Sequence, residues 1–144
     1  MPNQRAAGFI PQGPAESRTV NSLYHVWIST KTRKLVLEGE IAEDVRQLLL
    51  DAAKGAEIDV LEVESAFDYV HMLLAVNEGQ DLSSIVHQLK GASSRFISLR
   101  HPELGFELGT NSFWQRSYGS RRIAQSERPT VRRYIGMLRP LLYR

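Results

Sequence analysis

Residues 61–76 decide the fold, and they read Leu-Glu-Val-Glu-Ser-Ala-Phe-Asp-Tyr-Val-His-Met-Leu-Leu-Ala-Val. The pattern predicts two strands joined by a tight turn, and the second strand (residues 69–76) is apolar enough to lie in the middle of a sheet. Side chains alternate between faces along a strand, so Tyr69 and His71 share one face. A buried strand that begins with Asp68, Tyr69 and His71 indicates a functional site at its start.

The other elements follow from hydrophobic periodicity on either side of this stretch. Strands are predicted at residues 23–29, 58–64 and 113–120, and helices at residues 38–54, from residue 82, and from Pro129. This order predicts an α+β ferredoxin-like sandwich, with a four-stranded antiparallel sheet, two helices packed on one face and an appended C-terminal helix. Residues 1–20, which contain three prolines and two glycines, are predicted to form a flexible arm before a single domain at residues 21–144.

Composition excludes several classes of protein. The 144 residues include no cysteine, so disulfides and thiolate metal sites are excluded. No apolar run approaches the roughly 20 residues of a membrane helix, and the N-terminus lacks the apolar core of a signal peptide. We therefore expect no membrane partner and a cytoplasmic location.

Charge is unevenly distributed along the chain. Residues 113–144 contain eight arginines and one acid, a net charge of +7, whereas residues 1–112 carry −5. Such asymmetry favours a polyanionic partner, and arginine forms bidentate contacts with phosphate. The alternative is a solvated, arginine-rich C-terminal helix and tail.

The segment Asp-Tyr-Val-His-Met-Leu-Leu (residues 68–74) resembles the Asp-His-hydrophobic-His-hydrophobic-Leu-Leu motif of HUH tyrosine transposases. These are the small enzymes that move single-stranded insertion sequences, a group that includes the REP-associated type. Three further segments are similar to the family's opening strand, its Leu-Lys-Gly-x-Ser-x-Arg helix and its Trp-containing strand: residues 23–37, 89–95 and 113–118. The resemblance covers roughly residues 21–138.

The resemblance implies a chemistry in which a tyrosine of the last helix attacks a DNA phosphodiester and forms a phosphotyrosine link. Mg²⁺ or Mn²⁺, held by two histidines and a glutamine, would polarise the phosphate. Tyr134 matches the nucleophile and His71 the second histidine. Tyr69 replaces the first histidine and Leu138 the glutamine, while Asp68 is a possible substitute ligand. The family also implies a homodimer in which the last helix of one subunit completes the site of the other.

Single-stranded or hairpin DNA is the partner that the resemblance and the charge imply. Trp114 is predicted either to stack on unpaired bases or to fill the core. Together with basic residues, it forms the predicted DNA-binding set: Lys31, Arg33, Lys90, Arg95, Trp114, Arg116, Arg121 and Arg122.

Three functions remain open at this point. The first is a transposase-family DNA-binding protein whose ancestral strand cleavage and rejoining is weakened or lost, so that the sequence leaves its enzyme status undecided. The second is a non-catalytic module, derived from a transposase, that binds DNA or RNA hairpins. The third is a ferredoxin-like interaction protein without a nucleic acid partner.

Overall fold

The computed structural model describes residues 21–31, 37, 39–66, 68–104 and 113–138. The predicted arm at residues 1–20 and the predicted contact Arg33 lie outside these ranges. The elements are four strands and three helices: β1 (Ser22–Ser29), α1 (Gly39–Gly55), β2 (Asp59–Ala66), β3 (Tyr69–Val76), α2 (Leu82–Arg100), β4 (Gly119–Ile123) and α3 (Arg128–Gly136). Short 3-10 turns at Pro102–Leu104 and Gln125–Glu127 precede β4 and α3, respectively.

The four strands form one antiparallel sheet in the order β2-β3-β1-β4. The chain order strand-helix-strand-strand-helix-strand with this sheet order is the ferredoxin-like arrangement, so the predicted fold class is confirmed. β1 and β3 are the two central strands. Their register pairs Trp27 with His71 and His25 with Leu73, which places all four side chains on one face.

One face of the sheet carries the main core. Alternate residues of the central strands, among them Val26, Val70 and Met72, are fully buried there. They pack in one cluster with apolar residues of α1 and α2, including Val45, Leu49, Val86 and Leu89. Because both helices cover this face, the functional groups of β3 are left on the other one.

The opposite face is covered at one end by α3. Val131 and Ile135, four residues apart on one side of the helix, are buried with residues from three strands: Leu23, Leu73, Ala75 and Ile123. β3 is therefore covered on both faces along its second half. This double burial accounts for the unbroken apolar run that ends the strand.

The last strand lies later in the sequence than its pattern predicts. The prediction placed it at residues 113–120 and a linker at residues 121–128, whereas β4 spans Gly119–Ile123. Phe113 and Trp114 are both buried, with their rings 4.7 Å apart, so they do not alternate as strand neighbours would. β4 is polar because it is an edge strand, where exposed charges are common.

The segment before β4 is held by α2. The Lys90 ammonium donates hydrogen bonds to the carbonyls of Gln115, Arg116 (2.9 Å) and Ser117 (3.4 Å). The indole N–H of Trp114 donates to Oγ of Ser93 at 2.9 Å. Both side chains are buried, so they fix a segment whose own strand pairing is limited to one antiparallel bridge between Trp114 and Thr30.

His101, at the end of α2, links the two helices of the main core. One ring nitrogen lies 2.7 Å from a carboxylate oxygen of Asp44 in α1, and the other lies 3.1 Å from Glu103. Burial alone would lower the pKa of His101, but the hydrogen bonds and negative charges of Asp44 and Glu103 outweigh it and raise the pKa above 6.5.

We predict that this contact makes stability depend on pH. A histidine whose pKa is raised by folding contributes stability below its unfolded pKa of about 6.5, and the contribution is lost as pH rises through the folded value. The thermal midpoint should therefore fall above about pH 6.5, and His101→Gln should flatten this dependence and cost about 1–2 kcal/mol at low pH. The exposed His87 of α2 supplies the control His87→Gln; an equally flattened curve there would contradict the assignment.

Candidate active site

His71 lies at the centre of a group of rings on the face that carries α3. It faces Nε2 of His25, on β1, through Nδ1 at 3.1 Å, and the two ring centroids are 5.3 Å apart. Tyr69 is two residues before His71 on the same face, with its ring centroid 6.1 Å away. The central strands β1 and β3 therefore bring two imidazoles and a phenol together.

Both histidines are neutral near pH 7. Burial, with a second contribution from the positive charge that His25 carries when protonated, lowers the pKa of His71 to about 4. Burial also lowers the pKa of His25, with a second contribution from the positive charge of Arg121. In a neutral pair one ring donates its N–H and the other accepts, so the two rings must hold complementary tautomers.

Tyr134 stands over this pair. Its ring centroid is 6.0 Å from that of His25 and 6.0 Å from that of His71, and it meets both rings edge-on. The side chain is 50% exposed, whereas Val131 and Ile135 on the same helix are buried. These two anchors fix the rotation of α3 and hold Tyr134 against the sheet of its own chain. The resemblance had implied a last helix that serves the other subunit of a dimer.

Sequence reasoning missed two residues of this group. These are His25 and Trp27, which lie in the predicted strand at residues 23–29 and had been given no role in the site. Trp27 lies 5.1 Å from His25 between ring centroids and opposite Gly119 of β4. His25 and Trp27 are two residues apart, so their side chains share one face of β1. Together with the pairing of β1 and β3, this spacing is the signal that could have placed both residues near His71.

Gly119 is required by this arrangement. A Cβ built at that position would overlap three atoms of the Trp27 indole, so the ring lies directly on the backbone of β4. Glycine in a strand often marks such a close approach. The β4 position opposite Trp27 therefore has no room for a side chain unless the indole moves.

The predicted DNA-binding residues separate into two groups. The basic residues at 31, 95, 116, 121 and 122 are exposed. Arg121 pairs with His25 and shares the face of the ring group, whereas Arg122 pairs with Tyr24 on the other face. Lys90 and Trp114 are 7% and 2% exposed, and their polar groups bind protein atoms. For Trp114 this is the core position that had been weighed against base stacking, and the Lys90 ammonium is hydrogen-bonded to main-chain carbonyls of its own chain.

Comparison with known proteins shows which family has a sequence and a fold of this kind. The family described as "Transposase IS200 like" matches residues 18–137, which is most of the chain. The chain belongs to the IS200-like transposase family. The ISDra2 transposase TnpA of Deinococcus radiodurans is 32% identical over 112 residues, which cover 78% of this chain and 80% of that protein. The IS200 transposase of Salmonella typhimurium is 31% identical over 98 residues, 68% of this chain and 64% of the relative.

Two solved structures share the fold of this IS200-like protein. A structure described as a transposase of Deinococcus radiodurans R1 superposes with a TM-score of 0.68, 26% identity, and coverage of 95% of this chain and 98% of the other. A REP-associated tyrosine transposase bound to a REP hairpin gives a TM-score of 0.56 with 13% identity, covering 94% and 70% of the two chains. Among the described residues, no helix is long and apolar enough to cross a membrane.

The residues of this IS200-like protein do not fit the metal site that the family implies. No group of three histidine, cysteine or carboxylate side chains in the described parts of the chain is placed to hold a metal ion. The nearby carboxylates of β2 are engaged elsewhere, Glu62 with Arg132 at 3.6 Å and Glu64 with Arg46 at 3.5 Å. Leu138 is buried and lies two residues beyond the end of α3.

We predict that Gly119→Ala disturbs the ring group. The new methyl would displace the Trp27 indole, and the free energy of unfolding should fall by about 1–3 kcal/mol, as for other overpacked sites. Urea denaturation followed by tryptophan fluorescence measures this effect. Gly55→Ala is the matched control, because a Cβ there meets no neighbouring atom. Equal stability of both variants would show that Trp27 does not need the glycine.

Proposed function

We propose that this IS200-like protein binds single-stranded or hairpin DNA, and that its ancestral strand cleavage through Tyr134 is weakened or lost. The observation that carries the proposal is the position of Tyr134 over a neutral His25–His71 pair that lacks the family's other metal ligands. Because DNA is its substrate, we expect the protein to act in the cytoplasm.

DNA binding is supported by the charge of the protein and by its structural relatives. Exposed Arg121 of β4 shares the face of the ring group, and exposed Arg132 and Arg133 directly precede Tyr134 in α3. Such clusters bind phosphate through charge-assisted, bidentate hydrogen bonds. A structural relative was solved with a REP hairpin, a ligand that fits the same charge distribution.

Weak cleavage follows from the chemistry of the site. In the family reaction the phenol oxygen bonds to phosphorus, the 3′ oxygen leaves, and the phenol proton needs an acceptor. The pKa of His71 is lowered to about 4, so this ring is a weak base and a poor acceptor for that proton. The ligands that would hold a metal to stabilise charge on the phosphate are incomplete: Mg²⁺ and Mn²⁺ are suited to carboxylate, carbonyl and water oxygens, and Tyr69 offers only a phenol.

A homodimer remains part of the proposal, and it rests on the family resemblance. Light scattering at high protein concentration tests it. A monomer would remove this part without affecting DNA binding, because α3 reaches the ring group of its own chain.

A non-catalytic module that binds DNA or RNA hairpins is the second candidate. It is favoured by the same incomplete ligand set, since phosphate contacts and base contacts need no metal. The second candidate also admits RNA, and the two differ in whether the site can form a covalent product, at least once its metal ligands are restored.

An adduct assay separates them. The protein is mixed with a labelled single-stranded hairpin library and Mn²⁺, and covalent products are resolved on a denaturing gel. We expect little or no adduct from the native chain, and at least about tenfold more from the double variant Tyr69→His, Leu138→Gln, because lost metal support typically costs ~10–100-fold.

Tyr134→Phe is the control for the nucleophile, and a thermal melt checks that the double variant folds. Robust adduct from the native chain, absent from Tyr134→Phe, would contradict weakened cleavage. Hairpin binding without adduct in either native or double-variant protein would favour the non-catalytic module.

Salt dependence tests the assignment of basic residues. Arg121→Gln should reduce the slope of log affinity against log salt concentration by about 1, because one phosphate contact is lost. Lys90→Met should leave the slope unchanged and instead lower the free energy of unfolding by about 2–3 kcal/mol, since three carbonyls lose their donor. A reduced slope in Lys90→Met would mean that its ammonium contacts DNA after all.

A further inference from the structure

The ring group extends beyond the groups that the family's chemistry uses. Trp27 is in edge contact with His25, at 61° between ring planes, and His25 contacts both His71 and Tyr134. Trp27 has no role in nucleophilic attack or in metal binding. Its indole is nevertheless placed on the same face as the nucleophile and only one ring away from it.

The position of α3 leaves this end of the face less covered. The helix is anchored by Val131 and Ile135 on Leu23, Leu73 and Ile123, which belong to the opposite end of the strands. Trp27 is near the other end of β1 and remains partly exposed. A large apolar ring that stays accessible beside a half-exposed tyrosine provides a surface for a flat ligand.

Gly119 gives this surface its shape. The indole lies against the glycine backbone through its Cε2, Nε1 and Cζ2 atoms, so β4 holds the ring in place. A ring held by such a close contact has few rotamers to lose on binding, and this lowers the entropic cost of stacking.

We propose that Trp27 stacks on an unpaired nucleobase of the DNA strand that passes beside Tyr134. This inference rests on the proposed function and adds a base-stacking subsite to it. Unpaired bases stack on aromatic side chains whatever their sequence, because every base has a π-face. In other ferredoxin-like sheets that bind single strands, aromatic residues of the central strands hold bases in this way, and β1 is a central strand here.

Charge near Trp27 fits a nucleotide better than an apolar partner. Arg121 lies two residues after Gly119 on β4 and on the same face, directly opposite His25 in the strand pairing. Arg121 is also half exposed and forms a long ion pair of 3.5 Å with the exposed Glu127. A phosphate can replace that carboxylate while the attached base lies on the indole.

Abasic DNA distinguishes stacking from phosphate binding. Affinity is measured by anisotropy for a hairpin with a single-stranded flank, and for the same hairpin with abasic sites in the flank. We expect the native protein to bind the intact flank about five- to a hundredfold more tightly. Trp27→Leu should abolish this difference, whereas Trp27→Phe should keep most of it, and thermal melts check that both variants fold.

Fluorescence gives a second readout, because the chain has only two tryptophans and Trp114 is buried. DNA should quench part of the native emission, and it should leave the emission of Trp27→Phe unchanged because only Trp114 then remains. Equal affinity of the native protein for intact and abasic flanks would overturn the subsite but leave DNA binding intact. So would an equal loss of affinity for both ligands in Trp27→Leu, which would indicate that Trp27 only covers Gly119. Failure to bind any oligonucleotide, even at low salt, would overturn the proposed function together with the subsite.

Discussion

The pleat of β3 is the constraint on which the rest of the structure depends. Val70, Met72 and Leu74 face α1 and α2, so Tyr69, His71 and Leu73 must face the other way. That second face is apolar at Leu73 and polar at His71, and α3 lies where the two meet. The helix buries Val131 and Ile135 at the apolar end, and Tyr134, between them in sequence, reaches the polar end. A shift of one residue in the pairing of β3 would exchange the two faces and remove the site.

Most of the fold follows from patterns that are local in the sequence. Alternation identifies β1, β2 and β3, steps of three and four identify the helices, and element order leads to the sheet arrangement. The error in β4 has a physical cause. Phe113 and Trp114 are apolar because they fill the core from a loop, and the loop is held by Lys90 through contacts that no local pattern encodes. β4 is short, polar and at the edge, so its sequence is similar to that of a linker.

The candidate site could be predicted in part. His71 and Tyr134 were singled out through the family resemblance, and the structure brings their rings within 6.0 Å of each other. His25 and Trp27 were missed because they approach His71 only through the pairing of β1 with β3. His25 and His71 are 46 positions apart in the sequence, so no local pattern links them. Lys90 was assigned to DNA because a lysine in a small-residue helix segment resembles a phosphate contact. In the fold its charge is used to close a loop.

The attachment of α3 has a consequence for how the molecule fluctuates. The helix has nine residues, and Val131 and Ile135 are the two that it buries. Burial of two such side chains contributes about 3–6 kcal/mol at most. Separating the sheet from α1 and α2, or its strands from one another, would cost far more. α3 is therefore expected to detach as a local unit while the sheet stays intact, and its amide protons should exchange with solvent faster than those of β3. The helix that carries Tyr134 is thus expected to be the least protected part of this face, and its position over the histidines is an equilibrium that a bound DNA strand can shift.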